Sequence, residues 1–117
     1  MTPAVPDEPF RVVERTTLCE AGFLTVVRLS VAGPGGTEFD RHVVHHPGAV
    51  VVVPVDADGN ALMVRQYRVA AERALLEVPA GKRDVPGEDP AATAARELEE
   101  EIGRRATHLD PLCEFYN

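Results

Sequence analysis

The chain is poor in several things, and each scarcity excludes a class of protein. It has two cysteines, Cys19 and Cys113, far apart in its 117 residues. Two distant thiols do not make a disulfide framework, so both are expected to be reduced and structural, and a cytoplasmic location is expected. The longest apolar run, near Ala49–Val55, falls well short of the about 20 residues that a membrane-spanning helix needs. The N-terminus lacks a basic-then-apolar leader. Positive charge is also in deficit. The formal net charge is −7, which argues against nucleic acid or an anionic membrane as partner. Internal repeats and low-complexity tracts are missing as well.

What is present suits one domain with one modest core. Residues 1–9 carry three prolines and little that packs, and read as a flexible tail. Residues 10–46 read as a small antiparallel strand unit. Phe10–Leu18 is β-prone. Phe23–Val31 alternates Val27, Leu29 and Val31 against Arg28 and Ser30, the period of a half-buried strand. Pro34-Gly35-Gly36 is a turn, and Thr37–His45 a third strand. His45 and His46 are adjacent, so a strand points them to opposite faces and they read as structural.

Residues 47–117 read as the main domain. Gly48–Val55 is a continuous apolar run, expected to form a central strand. Asp56–Asn60, with Asp58-Gly59, is a hairpin connection. Ala61–Arg68 returns as a strand, and Leu75–Val78 follows. Pro79-Ala80-Gly81 then leads into a loop. The order strand, hairpin, strand, strand, loop, helix points to an α+β or α/β sandwich. Leu112–Tyr116 reads as the start of one more strand.

The chemistry concentrates in Gly81–Gly103, GKRDVPGEDPAATAARELEEEIG. Asp89 is placed to cap a helix, Pro90 fits its first position, and Gly103 stops it, so a helix is expected over about Pro90–Ile102. Ala95, Leu98 and Ile102 fall on one side and are expected to face the core. Glu97, Glu100 and Glu101 form a second stripe at i, i+3 and i+4. Like charges so spaced repel by roughly 0.2–0.5 kcal/mol per pair. A cation converts that repulsion into coordination, and magnesium favours carboxylate, carbonyl and phosphate oxygens. Arg96 can orient a carboxylate through its fork. A glutamate run alone reads as a solvated face. Here the glycine loop, cap, arginine and stop stand in register with the run, which favours the site.

These residues resemble the Nudix box, G-x5-E-x7-R-E-U-x-E-E-x-G-U, with U a bulky aliphatic residue. Gly81, Glu88, Arg96, Glu97, Leu98, Glu100, Glu101 and Gly103 match. Six residues rather than five separate Gly81 from Glu88, with the extra residue in a Pro86-Gly87 turn, and the last U is Arg104. The resemblance implies an α/β/α sandwich around a mixed sheet, preceded by the N-terminal strand unit and ending before the family's last strands and second helix. The chain is thus expected to be a fragment.

Outside the box, Arg41–Val50, Val64–Arg68 and Leu76–Gly81 are similar to the ADP-ribose pyrophosphatase branch. That similarity implies a magnesium enzyme, with manganese as a substitute, cleaving ADP-ribose to AMP and ribose 5-phosphate. It implies metal binding by the Ala80 carbonyl, Glu97 and Glu101, with Glu100 in support, and a carboxylate-orienting Arg96. Arg41 and Arg68 match substrate-contacting arginines, and Phe23 matches an adenine-stacking aromatic, with Leu24 nearly as well placed. It implies a homodimer that exchanges its N-terminal strands, and a water-activating glutamate beyond Asn117. Other nucleoside diphosphate sugars and NADH stay open as substrates. So do a non-catalytic nucleotide sensor and a prenyl diphosphate isomerase.

Overall fold

The computed structural model describes residues 9–117, and the chain divides between Pro47 and Gly48 into two compact units. The tail expected at residues 1–9 lies, except for Pro9, outside the described residues.

The first unit is one three-stranded antiparallel sheet in the order β1-β2-β3: β1 (Arg11–Ala21), β2 (Leu24–Ala32) and β3 (Glu38–His45). A two-residue turn, Gly22-Phe23, joins β1 to β2, and Gly22 takes φ +60°, a value glycine adopts without cost. Phe23 therefore belongs to the turn and not to the strand expected to begin with it. β1 carries two register shifts, between Val12 and Glu14 and between Thr17 and Cys19. Val27 is the buried residue of β2.

The second unit contains two antiparallel strand pairs and a helix. β4 (Ala49–Val51) pairs with β7 (Ala80–Lys82), and β5 (Val64–Arg68) with β6 (Arg73–Glu77). The helix α1 (Pro90–Ile102) packs over β4 and β7. Ala94 and Leu98 on α1 meet Val52, with Val50 and Ile102 packed against them.

Three expectations need correction. The apolar run 48–55 does not form one continuous strand. β4 ends at Val51, Val52 N–H still donates to Pro79 O (2.9 Å), and Pro54, without an N–H, breaks the ladder before the Val55–Ala61 bridge. Val50 and Val52 point inward while Val51, Val53 and Val55 are exposed, so the run is buried on one face only. On α1 the buried side is Thr93, Ala94, Glu97 and Leu98, and Ala95 is exposed. Leu98 and Ile102 face the core as expected, and Ala94 takes the inward place expected of Ala95. Finally, Leu112–Tyr116 forms no strand. Its side chains are exposed, and a strand without a neighbouring edge leaves its backbone groups unpaired.

The expected hairpin at Asp56–Asn60 is present. Asp56 Oδ1 accepts the N–H groups of Asp58 and Asn60, each at 2.9 Å.

Candidate active site

The site is built where β7 runs beneath α1. Gly81 lies opposite Val50 in the β4–β7 ladder. A Cβ built on Gly81 would overlap the Glu97 carboxylate. Gly81 has no positive φ, so close approach, and not backbone freedom, demands the missing side chain here. Glu97 is left 9% exposed.

The helix holding Glu97 starts and stops where expected. Pro90 stands in its first turn, and Asp89 has the extended backbone of a cap (φ −63°, ψ 139°), but the Asp89 side chain makes no capping bond. Asp89 O accepts Thr93 N–H at 3.0 Å instead, closing the first turn. At the far end Gly103 is left-handed (φ 63°, ψ 30°), and its N–H returns to Glu99 O at 3.1 Å.

Arg96 is the hub of the polar network. Its Nη2 donates to Glu88 Oε1 at 3.1 Å, and its Nη1 donates to Glu97 Oε1 at 3.2 Å. Glu100 lies 3.5 Å and Asp84 3.7 Å from the same guanidinium. Glu88 Oε1 also accepts the Thr93 hydroxyl at 2.7 Å. The six-residue spacing before Glu88 is absorbed in the turn at Val85–Glu88, where Glu88 N–H meets Val85 O at 3.2 Å and Gly87 takes φ +75°.

The electrostatics divide the carboxylates. The Arg96 guanidinium, followed by the Thr93 hydroxyl, holds Glu88 below the usual carboxylate range. Arg96 is in turn raised, chiefly by its bond to Glu88. Burial pushes Glu97 up. Arg96 opposes that shift, and the nearby Glu100, Glu101 and Asp84 charges add to it. A buried carboxylate surrounded by other carboxylates is a place where a cation is favoured.

Glu101 is exposed and, with Val64, Arg65 and Gln66 of β5, lines a shallow open depression of about 210 Å³. Among the described residues no three His, Cys, Asp or Glu side chains converge into a ready-made metal cage. The donors implied for a metal are the Ala80 carbonyl and the Glu97, Glu100 and Glu101 carboxylates. All are hard oxygens of the kind magnesium takes, and Glu97 and Glu101 are one helical turn apart. The hard-oxygen donor set, with the Glu97 carboxylate seated where Gly81 has no side chain, fits a small divalent cation.

Of the other expected residues, Arg68 makes its own ion pair within the second unit, and Arg41 and Phe23 belong to the first unit. Arg68 of β5 forms a fork with Glu77 of β6, Nε to Oε2 at 2.7 Å and Nη2 to Oε1 at 2.6 Å. The pair raises Arg68 and lowers Glu77. In the first unit Arg41 donates to Asp40 O (2.9 Å), and its guanidinium lies over the Phe39 ring at 4.4 Å. Phe23 meets His46 edge-on, with ring centres 5.3 Å apart. His45 Nε2 lies 2.8 Å from Arg15 Nη1, so the two histidines have separate partners.

Thr93, Asp84 and Glu77 were not singled out from the sequence. Thr93 did carry a signal, as the one non-alanine residue between Pro90 and Arg96.

With this geometry in hand, comparison with known proteins is decisive at the level of family. Residues 44–116 match the NUDIX domain family. The chain belongs to that family. It is 45% identical over 109 residues to the ADP-ribose pyrophosphatase of Mycobacterium tuberculosis, covering 93% of this chain and 53% of that protein. It is 47% identical over 83 residues to the ADP-ribose pyrophosphatase of Bacillus subtilis, covering 71% and 44%. The fold is similar to a crystal structure of an ADP compounds hydrolase, with a TM-score of 0.72, 27% identity, and coverage of 85% of this chain and 54% of that one. This Nudix chain spans about half the length of the curated relatives it matches.

Proposed function

We propose that the protein hydrolyses the diphosphate of a nucleoside diphosphate derivative, with ADP-ribose as substrate and AMP and ribose 5-phosphate as products. The carrying observation is the buried Glu97, seated over Gly81 and bonded to Arg96, on the helix that also presents Glu100 and Glu101. Two relatives above 40% identity with ADP-ribose pyrophosphatase names support the substrate.

In this reading the Ala80 carbonyl, Glu97 and Glu101 hold magnesium, or manganese in its place, with Glu100 supporting. When bound, the cation polarises the diphosphate and favours ionisation of a water. Arg96 keeps the Glu97 carboxylate turned toward the β7 backbone and balances its charge. A water oxygen forms a bond to one phosphorus, and the bridging P–O bond breaks. The bridging oxygen leaves on the other phosphate, and the proton of the water passes to solvent. Attack at either phosphorus yields the same two products.

Arg41, Arg68 and Phe23 are assigned to the substrate by similarity. Guanidinium forks suit phosphate oxygens, and an exposed aromatic ring suits adenine. The Glu77 fork uses Nε and Nη2 of Arg68, which leaves Nη1 for a phosphate.

The proposal includes a homodimer built through the N-terminal sheet. Phe10, Val12, Val13, Leu18, Phe23 and Val44 are all exposed there, an apolar area that a second copy would cover. A cytoplasmic location accords with the free, exposed thiols of Cys19 and Cys113. No helix among the described residues is long and apolar enough to cross a membrane.

The test is to incubate the protein with ADP-ribose and magnesium and to resolve the products by phosphorus NMR. Equal amounts of AMP and ribose 5-phosphate support the reading. Nucleotide binding without turnover would make the protein a sensor instead.

A further inference from the structure

Thr93 is out of place by helix propensity. It interrupts Ala91, Ala92, Ala94 and Ala95, in a stretch where alanine is the better helix former and a β-branched side chain loses rotamer freedom. It is also fully buried, at 0% exposure. A buried helical threonine commonly satisfies its hydroxyl on the carbonyl one turn back. Thr93 has that option, but the distance to Asp89 O is 3.4 Å, whereas Glu88 Oε1 is at 2.7 Å. A hydroxyl has one proton to donate, and the shorter contact to a carboxylate takes it.

Glu88 Oε1 is the same oxygen that receives Arg96 Nη2. Arg96 Nη1 in turn donates to Glu97 Oε1. One oxygen thus joins a helix hydroxyl to the guanidinium that orients the buried carboxylate. We infer that Thr93 is a positioning residue: its hydroxyl fixes the Glu88 carboxylate, Glu88 fixes the Arg96 fork, and Arg96 sets the attitude of Glu97 toward a divalent cation. The inference rests on the metal-binding role proposed above for Glu97. It does not require that ADP-ribose be the substrate.

Removing the hydroxyl leaves Glu88 free to swing, and the Arg96 fork loses a fixed anchor. Supporting groups of this kind typically change metal affinity by about 10–100-fold. Thr93→Val keeps the shape and removes the donor. Thr93→Ala also removes it while favouring the helix, and serves if the valine variant fails to fold. Thr93→Ser restores the donor.

The experiment is manganese binding to the protein and its variants, followed by electron paramagnetic resonance, with a thermal melt of each variant. Valine and alanine variants are expected to bind manganese at least about 10-fold more weakly, with serine within about two-fold of the parent. In a Glu88→Gln background Thr93→Val is expected to add little, because the partner has already lost its charge. Unchanged manganese affinity in the valine and alanine variants overturns the inference and leaves the hydrolase reading standing. Absence of manganese binding in the parent protein overturns it as well. Weakened binding in the variants, together with no ADP-ribose hydrolysis by the parent, keeps the role of Thr93 and removes the substrate assignment.

Discussion

Gly81 and Glu97 compete for one space. The missing side chain of a strand glycine is where the carboxylate of a helix glutamate rests. The pairing explains two residues of the box together, and it makes the glycine a requirement of the site more than of the chain path. Gly81→Ala should therefore displace Glu97 while leaving the fold. Overpacking of this kind costs about 1–3 kcal/mol of stability. The expected result is a modest fall in melting temperature and a loss of activity of roughly 100-fold, from a misplacement of about 1 Å. A variant with parental activity would show that Glu97 need not sit there.

Arg96 reaches Glu88 with one terminal nitrogen and Glu97 with the other. A lysine ammonium is a single point and does not reproduce that fork. Arg96→Lys is expected to lower turnover by about 10–100-fold and to raise the magnesium concentration for half-maximal rate. The secondary structure should be unchanged by circular dichroism. Equal turnover of the two proteins would reduce Arg96 to a surface charge.

The two carboxylates bonded to Arg96 should respond to pH in opposite senses. Glu97 is raised in the folded protein by burial, so without metal its contribution to stability is present below its ordinary value and lost as pH rises through the raised value. Glu88 is lowered, so its contribution is present above its ordinary value and lost as pH falls through the lowered one. Metal binding needs ionised Glu97, so metal affinity should climb with pH across the Glu97 titration and then level off, with release of about one proton per metal in that range. Calorimetry in buffers of different ionisation enthalpy measures that proton. A flat affinity profile through the Glu97 titration would contradict the assignment.

Much of this was legible in the sequence where a local rule and a tertiary demand agree. Pro90 and Gly103 bound α1 because a first-turn proline and a left-handed stop act within a few residues. The hairpin at Asp56–Asn60 was legible for the same reason, since Asp56 closes it on its own backbone. β7 was hidden because Ala80 and Gly81 are weak strand formers, and the loop reading followed from that. The strand is held by pairing with β4 and needs the glycine for the approach of Glu97. On α1 Leu98 and Ile102 face inward as expected, but Ala94 and not Ala95 joins them, as a run of alanines carries little contrast between one side and the next. The Arg68–Glu77 fork was invisible because Glu77 faces Val64, and not Arg68, in the ladder, so long side chains must lean along the strands to meet. The spacing of the box named its glutamates and arginine, but the link through Thr93 depends on three-dimensional contacts that spacing does not encode.

The central claim is that the α1 glutamates hold a divalent cation that drives cleavage of a nucleoside diphosphate. The most direct measurement is AMP release from ADP-ribose over a magnesium titration, by the protein and by Glu101→Gln. The account predicts magnesium-dependent release by the parent. The variant, although folded, should be slower by about 100-fold or more even at saturating magnesium, a loss at the upper end of that for groups supporting a metal site. Parental turnover by Glu101→Gln at saturating magnesium, or AMP release by the parent without any divalent metal, would contradict it.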